Sequence, residues 1–143
     1  MEDELLRKLK TGLEEEIRHY ESMLKVSRDE QDVLKNETYS SKLISLASEK
    51  LRLMNEINRI GLMLSPLKVM WIKDRESNPD SPAENEIDPL INELSEVLER
   101  LLSVDRANTK KLAELTGTES VEEPLQVKDP LAAIKAYKDM SNK

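Results

Sequence analysis

Glu16 and His19 come closest, among the residues of this chain, to a motif that could do chemistry. A Glu-x-x-His pair on one helix supplies two of the metal ligands in carboxylate-bridged di-iron bundles. Such sites need a second pair and further inward-facing glutamates, and His19 is the only histidine here. A surface histidine flanked by Glu15 and Glu16 explains the same residues, and we favour that interpretation because the ligand set is incomplete. We therefore predict no metal site and no cofactor.

Other catalytic motifs are missing from the sequence. It holds no Gly-rich phosphate-binding loop, no Gly-x-Ser-x-Gly elbow and no zinc-ligand spacing. The absence of cysteine excludes disulfides, thiolate zinc sites and cysteine nucleophiles, and it is compatible with a reducing cytosol. A serine or lysine nucleophile would lack a plausible general base. We predict no catalytic residue and expect that the protein is not an enzyme.

The composition is typical of a protein made of long helices. Charged residues make up 36% of the 143 positions and aromatic residues only 3%, with three glycines and no phenylalanine. These proportions leave little material for a sheet. The length corresponds to one domain, or to one domain with an appendage.

The charge balance and the hydropathy pattern limit the partners. The formal net charge is −7 and no basic run stands out, so nucleic acid and anionic lipid are poor candidates. The acidic, amphipathic start of the chain is unlike a secretory signal. No stretch approaches the ~18 apolar residues that a membrane span requires. We expect a cytoplasmic protein whose partners are proteins.

The strongest helical pattern lies between Leu43 and Trp71. Apolar residues recur there in alternating steps of three and four, which Lys50 interrupts, and this spacing is typical of helices packed in a left-handed supercoil. The stripe comprises Leu43, Leu46, Leu53, Ile57, Ile60, Leu64, Leu67 and Trp71. It is widened by Leu51, Met54, Leu62, Met63, Val69, Met70 and Ile72. So wide an apolar surface requires neighbours on two sides, and we expect this helix to be the central one.

Two further long helices are predicted on either side of it. The first has a stripe that Ser27 and Gln31 weaken, so we expect looser packing there. The third carries Asn108 where a seam residue belongs. A phase break at residues 36–38 indicates a turn between helices one and two, and the proline-rich acidic stretch 74–88 indicates a solvated loop.

The predicted fold class is therefore all-α, an antiparallel bundle of three long helices with coiled-coil-like packing. The helices are expected at about residues 4–35, 39–73 and 82–116, within a bundle of residues 1–117. Pro66 is expected to kink helix two rather than to break it, because proline removes one hydrogen bond and crowds the preceding turn. We expect Trp71 to cap one end of the bundle rather than to anchor a partner.

The tail, residues 118–143, has a different character. Two prolines interrupt its first half, and a short amphipathic helix is predicted at about residues 130–140. Such a helix is marginal alone in water, so the tail is expected to be mobile or to dock, giving way to a partner's helix. Its apolar residues are the predicted partner-binding residues: Leu125, Val127, Leu131, Ile134, Tyr137 and Met140.

The helical motifs resemble those of flagellar export chaperones of the FlgN type. The likeness covers roughly residues 5 to 115. It depends on Glu16 and Tyr20 in helix one, on an Asn108-bearing end of helix three, and on the helix-two pattern Leu43-x-x-Leu46-x-x-x-Lys50-x-x-Leu53-x-x-x-Ile57-x-x-Ile60. The family often has a second asparagine three residues before the Asn108 position, where this chain has Asp105.

The resemblance implies a cytoplasmic secretion chaperone. It would bind the helical C-terminal segments of hook-associated proteins, which join the flagellar hook to the filament, and keep them unassembled before export. In that family the C-terminal part of the chaperone binds the client. The alternative is a structural coiled-coil subunit that completes a larger multiprotein assembly. A homo-oligomer is compatible with both.

Overall fold

The computed structural model describes residues 1–36, 41–78 and 84–116, and the described residues form three long helices. These are α1 (Asp3–Lys35), α2 (Ser41–Ser77) and α3 (Glu84–Thr116). The described part of the chain contains no strand, so the predicted all-α class is confirmed. α2 continues to Ser77 instead of ending near residue 73, and part of the predicted acidic loop is therefore helical. Residues 37–40, 79–83 and 117–143 lie outside the described ranges.

The three helices run up, down and up. The amine of Lys50, early in α2, lies near Glu30 late in α1, and Leu64 in the second half of α2 packs against Gly12, so α1 and α2 are antiparallel. α3 begins near the end of α2, where Arg75 contacts Asp88, and runs along α1 in the same direction as α1, so that Asp105 late in α3 meets Ser27 late in α1. This arrangement is the predicted antiparallel bundle.

The expectation that helix two is central is wrong, because α1 occupies that position. α1 packs along its length against both α2 and α3, whereas α2 and α3 have no comparable backbone packing with each other. In α1, neighbouring residues are buried together, as at Gly12 and Leu13 or Met23 and Leu24. Adjacent residues point about 100° apart on a helix, so burial of both requires cover on a wide arc.

Close approach between α1 and α2 depends on Gly12. A Cβ atom added at this position would lie 2.1 Å from Cδ2 of Leu64 and 2.9 Å from its Cγ. Leu64 is fully buried, so the missing side chain is what gives it room. Gly61, in contrast, has open space around it.

The hydrophobic core runs the length of the bundle and draws on all three helices. Its central members are Leu9, Leu13, Ile17, Tyr20 and Met23 from α1, Leu53, Ile57, Ile60, Leu64 and Trp71 from α2, and Ile87, Leu94, Leu98 and Leu101 from α3. The α2 members match the predicted stripe, which confirms its register.

Trp71 closes one end of the bundle, as predicted. Its side chain is buried, and the guanidinium of Arg75 lies over the indole ring, 5.2 Å from the centroid. The same guanidinium donates two hydrogen bonds to Asp88, of 2.6 and 3.0 Å, and so links α2 to α3. A buried indole cannot serve as an anchor for a partner in this conformation.

α2 is continuous through Pro66. The proline lies on an exposed position, where its missing N–H removes one helical hydrogen bond on the solvent side. A break at this residue is excluded.

A polar junction inside the bundle and a candidate binding surface on α2

Five polar residues meet where the three helices come together, near the end of α1. We call this set, Ser27, Glu30, Lys50, Asp105 and Asn108, the polar junction. The Ser27 hydroxyl and the Lys50 amine both donate to Oδ1 of Asp105, each at 2.7 Å. Lys50 also donates to Glu30 at 2.9 Å, and the Asn108 amide donates to the Ser27 carbonyl oxygen at 2.9 Å. The junction therefore links α1, α2 and α3.

The expectation of loose packing at Ser27 is wrong. Ser27 is fully buried, because its small side chain brings the hydroxyl to Asp105 of α3. A serine in an apolar stripe weakens the hydrophobic pattern, but a buried hydroxyl with a charged acceptor is a strong local contact.

Lys50 remains cationic in the junction. Burial by itself lowers the pKa of the amine, but the charges and hydrogen bonds of Asp105 and Glu30 outweigh this, and the net pKa is raised above 10.5. A protonated lysine is an ion-pair partner and not a nucleophile. Within the described residues, two buried acceptor atoms of the junction, Oδ2 of Asp105 and Oδ1 of Asn108, accept no hydrogen bond.

A second buried ion pair lies further along α1. Oε1 of Glu16 is 3.1 Å from the amine of Lys68 in α2, and both side chains are largely buried. Neighbouring Tyr20 is buried as well, and burial together with the charge of Glu16 raises the pKa of its phenol. The Glu16 carboxylate thus faces α2.

His19 is engaged within its own helix. Its Nδ1 atom lies 2.8 Å from the carbonyl oxygen of Glu15, while Glu16 is directed to Lys68. Over residues 1–36, 41–78 and 84–116, no three histidine, cysteine, aspartate or glutamate side chains are grouped so that they could hold a metal ion. The Glu-x-x-His spacing therefore does not converge on one site in this conformation.

The residues that carry the family resemblance lie in the interior. Glu16, Tyr20 and Asn108 are buried, and Lys50 is held in the polar junction. Asp105, where the chain departs from the family pattern, accepts hydrogen bonds from both Ser27 and Lys50. These residues hold the three helices together, and none of them is presented to a partner.

An uncharged stripe covers the side of α2 that faces away from the core. We call it the outer stripe. All of its members are exposed: Ile44, Ala47, Ser48, Leu51, Asn55, Asn58, Leu62, Ser65, Pro66 and Val69. Leu62 keeps 79% of its surface exposed and Ile44 keeps 73%. In a chain with 36% charged residues, an uncharged line of this length is a candidate protein-binding surface.

The outer stripe accounts for the width of the apolar surface of α2, from which neighbours on two sides are predicted. Ile57 and Leu64 lie on the core side, and Leu51, Leu62 and Val69 lie about 120–160° away around the helix. α1 covers the core side, and no described residue covers the other. The apolar residues of α2 thus form two separate lines rather than the one wide surface that the sequence pattern predicts.

The predicted partner-binding residues are not part of this surface. Leu125, Val127, Leu131, Ile134, Tyr137 and Met140 all lie outside the described residues, as does the predicted short helix. The structure brings none of them to a described site.

Comparison of the chain with protein-family models, with curated proteins and with solved structures finds no match. No described helix combines the length and the apolar character needed to cross a bilayer.

Proposed function

We propose that the protein is a cytoplasmic secretion chaperone that binds helical C-terminal segments of flagellar hook-associated proteins before export. The support for this client is the resemblance of the helical motifs to chaperones of the FlgN type. The C-terminal segment Leu125–Met140 is the proposed client-binding part, because Leu131, Ile134 and Tyr137 lie at helical spacing after an extended stretch that carries Leu125 and Val127.

The observation that carries the proposal is that the described helices bury a hydrophobic core between them. α2 and α3 both pack along α1, whose core-facing positions from Leu9 to Leu34 are buried. Leu131, Ile134 and Tyr137 are spaced as one apolar face of a further amphipathic helix, and such a face is suited to binding the helix of a partner.

Client binding can be measured by calorimetric titration of the full chain with a synthetic C-terminal peptide from a hook-associated protein. The variant Leu131→Ser with Ile134→Ser should bind at least about tenfold more weakly, because both apolar contacts are lost. Its melting temperature should match that of the unchanged protein. The matched control is Ala132→Ser with Ala136→Ser, which introduces the same two serines on the opposite side of the predicted helix and should bind normally.

Unchanged affinity of the Leu131 and Ile134 variant would exclude the C-terminal segment as the binding part. No binding of any hook-associated peptide by the unchanged protein would overturn the chaperone proposal itself. Amide exchange gives an independent measurement: in the free protein, we expect exchange at residues 125–140 to be orders of magnitude faster than at residues 43–60.

The second candidate is a structural coiled-coil subunit, and the exposed outer stripe of α2 favours it. A subunit that lacks its permanent partner should self-associate without limit or precipitate. A chaperone should be soluble alone and should recover one client from a cell extract. Recovery of a stable multiprotein complex without a hook-associated protein would favour the subunit.

A further inference from the structure

We propose that the outer stripe of α2 binds a second copy of this chain, with the two α2 helices antiparallel across a two-fold axis. The axis passes α2 midway between Glu56 and Ile57. This inference concerns a surface of the described bundle and does not depend on the identity of any client.

The spacing of the outer stripe is that of a coiled-coil seam. Eight of its residues are separated by steps of four and three in strict alternation: Ile44, Ser48, Leu51, Asn55, Asn58, Leu62, Ser65 and Val69. Such a line stays on one side of a supercoiled helix over its whole length. α2 therefore carries two seams, one packed on α1 and one open.

The open seam is symmetrical about its own midpoint. Counting outward from the midpoint, Asn55 corresponds to Asn58, Leu51 to Leu62, Ser48 to Ser65 and Ile44 to Val69. Each pair joins residues of the same kind, amide with amide, leucine with leucine, hydroxyl with hydroxyl, and branched aliphatic with branched aliphatic. A two-fold interface requires this property, because each position must match the position that the reversed copy brings to it.

Reversal of the second helix places each of these pairs in one layer of the interface. Leu51 of one copy would meet Leu62 of the other, and Asn55 would meet Asn58. A polar layer at the centre favours this register and this helix direction, because in any other arrangement the side-chain amides of Asn55 and Asn58 would be buried without hydrogen-bond partners.

The charges beside the stripe are already neutralised within α2. Arg59 pairs with Glu56 at 3.0 Å, and Arg52 donates to Glu49 at 2.5 and 3.2 Å. An approaching copy therefore meets a rim of internally paired charges and an uncharged line between them, and no net repulsion opposes the contact at the rim.

The size of the stripe predicts a reversible dimer. It extends over about 38 Å along a helix about 10–12 Å across, which gives a footprint on the order of 400 Å² per copy. That area is about half of the roughly 800 Å² per partner that stable specific interfaces bury, and it corresponds to a weak, transient contact. Half of the seam residues are also polar. We expect a dissociation constant in the micromolar range.

The C-terminal segment of the same chain fits the stripe less well. Its predicted helix of about eleven residues would be about 16 Å long, less than half of the stripe. Binding of the C-terminal segment would also not explain why the residues of the outer stripe are arranged symmetrically about the middle of α2. A second copy accounts for both the length and the symmetry.

Sedimentation equilibrium of the full chain over a concentration series tests the proposal. The mass should rise from 16.4 kDa toward twice that value as the concentration increases. Leu51→Glu should raise the dissociation constant at least tenfold, because the two-fold axis puts the new charge into two layers. Leu112→Glu is the matched control, since it makes the same exchange at an exposed leucine on α3 and should leave the dimer unchanged.

Cross-linking tests the direction and the register. The chain has no cysteine, so Leu51→Cys and Leu62→Cys each introduce a single thiol. Mixed under oxidation, the two variants should form a disulfide-linked heterodimer. Either variant alone should not, because like positions would lie about 16 Å apart along the axis, beyond the ~7 Å Cα separation that a disulfide spans.

Three results would overturn the proposal: a monomer at all concentrations up to about 1 mM, well above the micromolar range expected; a dimer that Leu51→Glu leaves intact; or self-linking of Leu51→Cys as efficient as the mixture. The first result, together with faster exchange of the stripe amides in the Leu131→Ser and Ile134→Ser variant, would assign the stripe to the C-terminal segment. Circular dichroism melting of each variant confirms that the bundle is folded, as expected for changes at exposed positions.

Discussion

Lys50 of α2 and Asp105 of α3 are joined by a hydrogen bond of 2.7 Å, although the backbones of their helices pack on α1 and not on each other. The long lysine side chain reaches past α1 to an aspartate that keeps 3% of its side-chain surface exposed. At the other end of the bundle, Arg75 and Asp88 form the corresponding link. The two outer helices are thus tied to each other by charged side chains near both ends.

Removal of the Lys50 charge should strongly destabilise the bundle. Lys50→Met leaves the buried Asp105 carboxylate with Ser27 as its remaining donor, and loss of one partner of a buried pair costs about 3–5 kcal/mol. We expect a loss of that order in the free energy of unfolding, measured by urea denaturation.

The matched rescue is Lys50→Met combined with Asp105→Asn. The second change removes the unpaired charge, so the double variant should recover a large part of the lost stability. An additive effect of the two substitutions would contradict the pairing, because residues in direct contact give coupling energies of about 0.5–3 kcal/mol.

The same pair predicts a dependence on alkaline pH. The folded-state pKa of Lys50 is raised, so its stabilising contribution is complete below the ordinary value of 10.5 and is lost as the pH rises through the higher folded value. The pKa of Tyr20 is also raised in the folded state, so its phenol destabilises the folded state as the pH rises. This loss of unfolding free energy is the same in the unchanged protein and in Lys50→Met. The difference in unfolding free energy between the unchanged protein and Lys50→Met should therefore shrink above pH 10.5. A constant difference would show that the ion pair contributes little.

Two glycines in helices should respond to alanine with opposite signs. Gly12→Ala would force a Cβ atom into the buried Leu64 side chain, and overpacking of this kind costs about 1–3 kcal/mol. Gly61→Ala meets nothing within 4 Å and should stabilise α2 by about 0.5–1 kcal/mol through helix propensity. Thermal melting of both variants tests this, and stabilisation by Gly12→Ala would show that α1 and α2 are not in close contact there.

A charge at Ile57 should disrupt the core. Ile57 is buried between the helices, and an aspartate there would have no partner for its carboxyl group, so burying it should cost several kcal/mol whether it is ionised or protonated. The control is Ser45→Asp at an exposed position of the same helix, off the outer stripe. Chemical denaturation should separate the two variants clearly, and equal midpoints would mean that Ile57 faces water.

The periodicity of α2 was sufficient to predict which of its residues face the core. Leu53, Ile57, Ile60, Leu64 and Trp71 are buried as expected, because a stripe of large aliphatic residues at steps of three and four admits one helical orientation. Helix existence, fold class and direction could all be predicted from such patterns together with the turn residues between them.

The central position of α1 could not be predicted in this way. α1 owes its wide buried arc to Gly12, Glu16 and Ser27, which an apolar count does not register. Glycine is interior because of close helix approach, and the polar residues are interior because of partners on other helices. Those partners are Lys68 and Asp105, which lie far along the chain and are not identifiable from local spacing.

The outer stripe could be predicted from the sequence only in part. Leu51, Leu62 and Val69 were recognised as additional apolar residues of helix two, but the polar Ser48, Asn55, Asn58 and Ser65 hid the second seam among them. A search for uncharged residues at the same spacing, rather than for apolar ones, would have found it. The C-terminal segment was predicted from amphipathicity alone and lies outside the described residues.

Because α1 lies between the other two helices, a nascent chain cannot finish covering it until α3 has left the ribosome. Glu30 and its partner Lys50 are separated by 20 residues along the chain, whereas Ser27 and its partner Asp105 are separated by 78 residues. The α1–α2 hairpin should therefore form first and expose one side of α1 throughout the synthesis of α3. Ribosome-bound chains stalled before residue 84 should recruit general folding factors to that side, and chains that have released residue 116 should not.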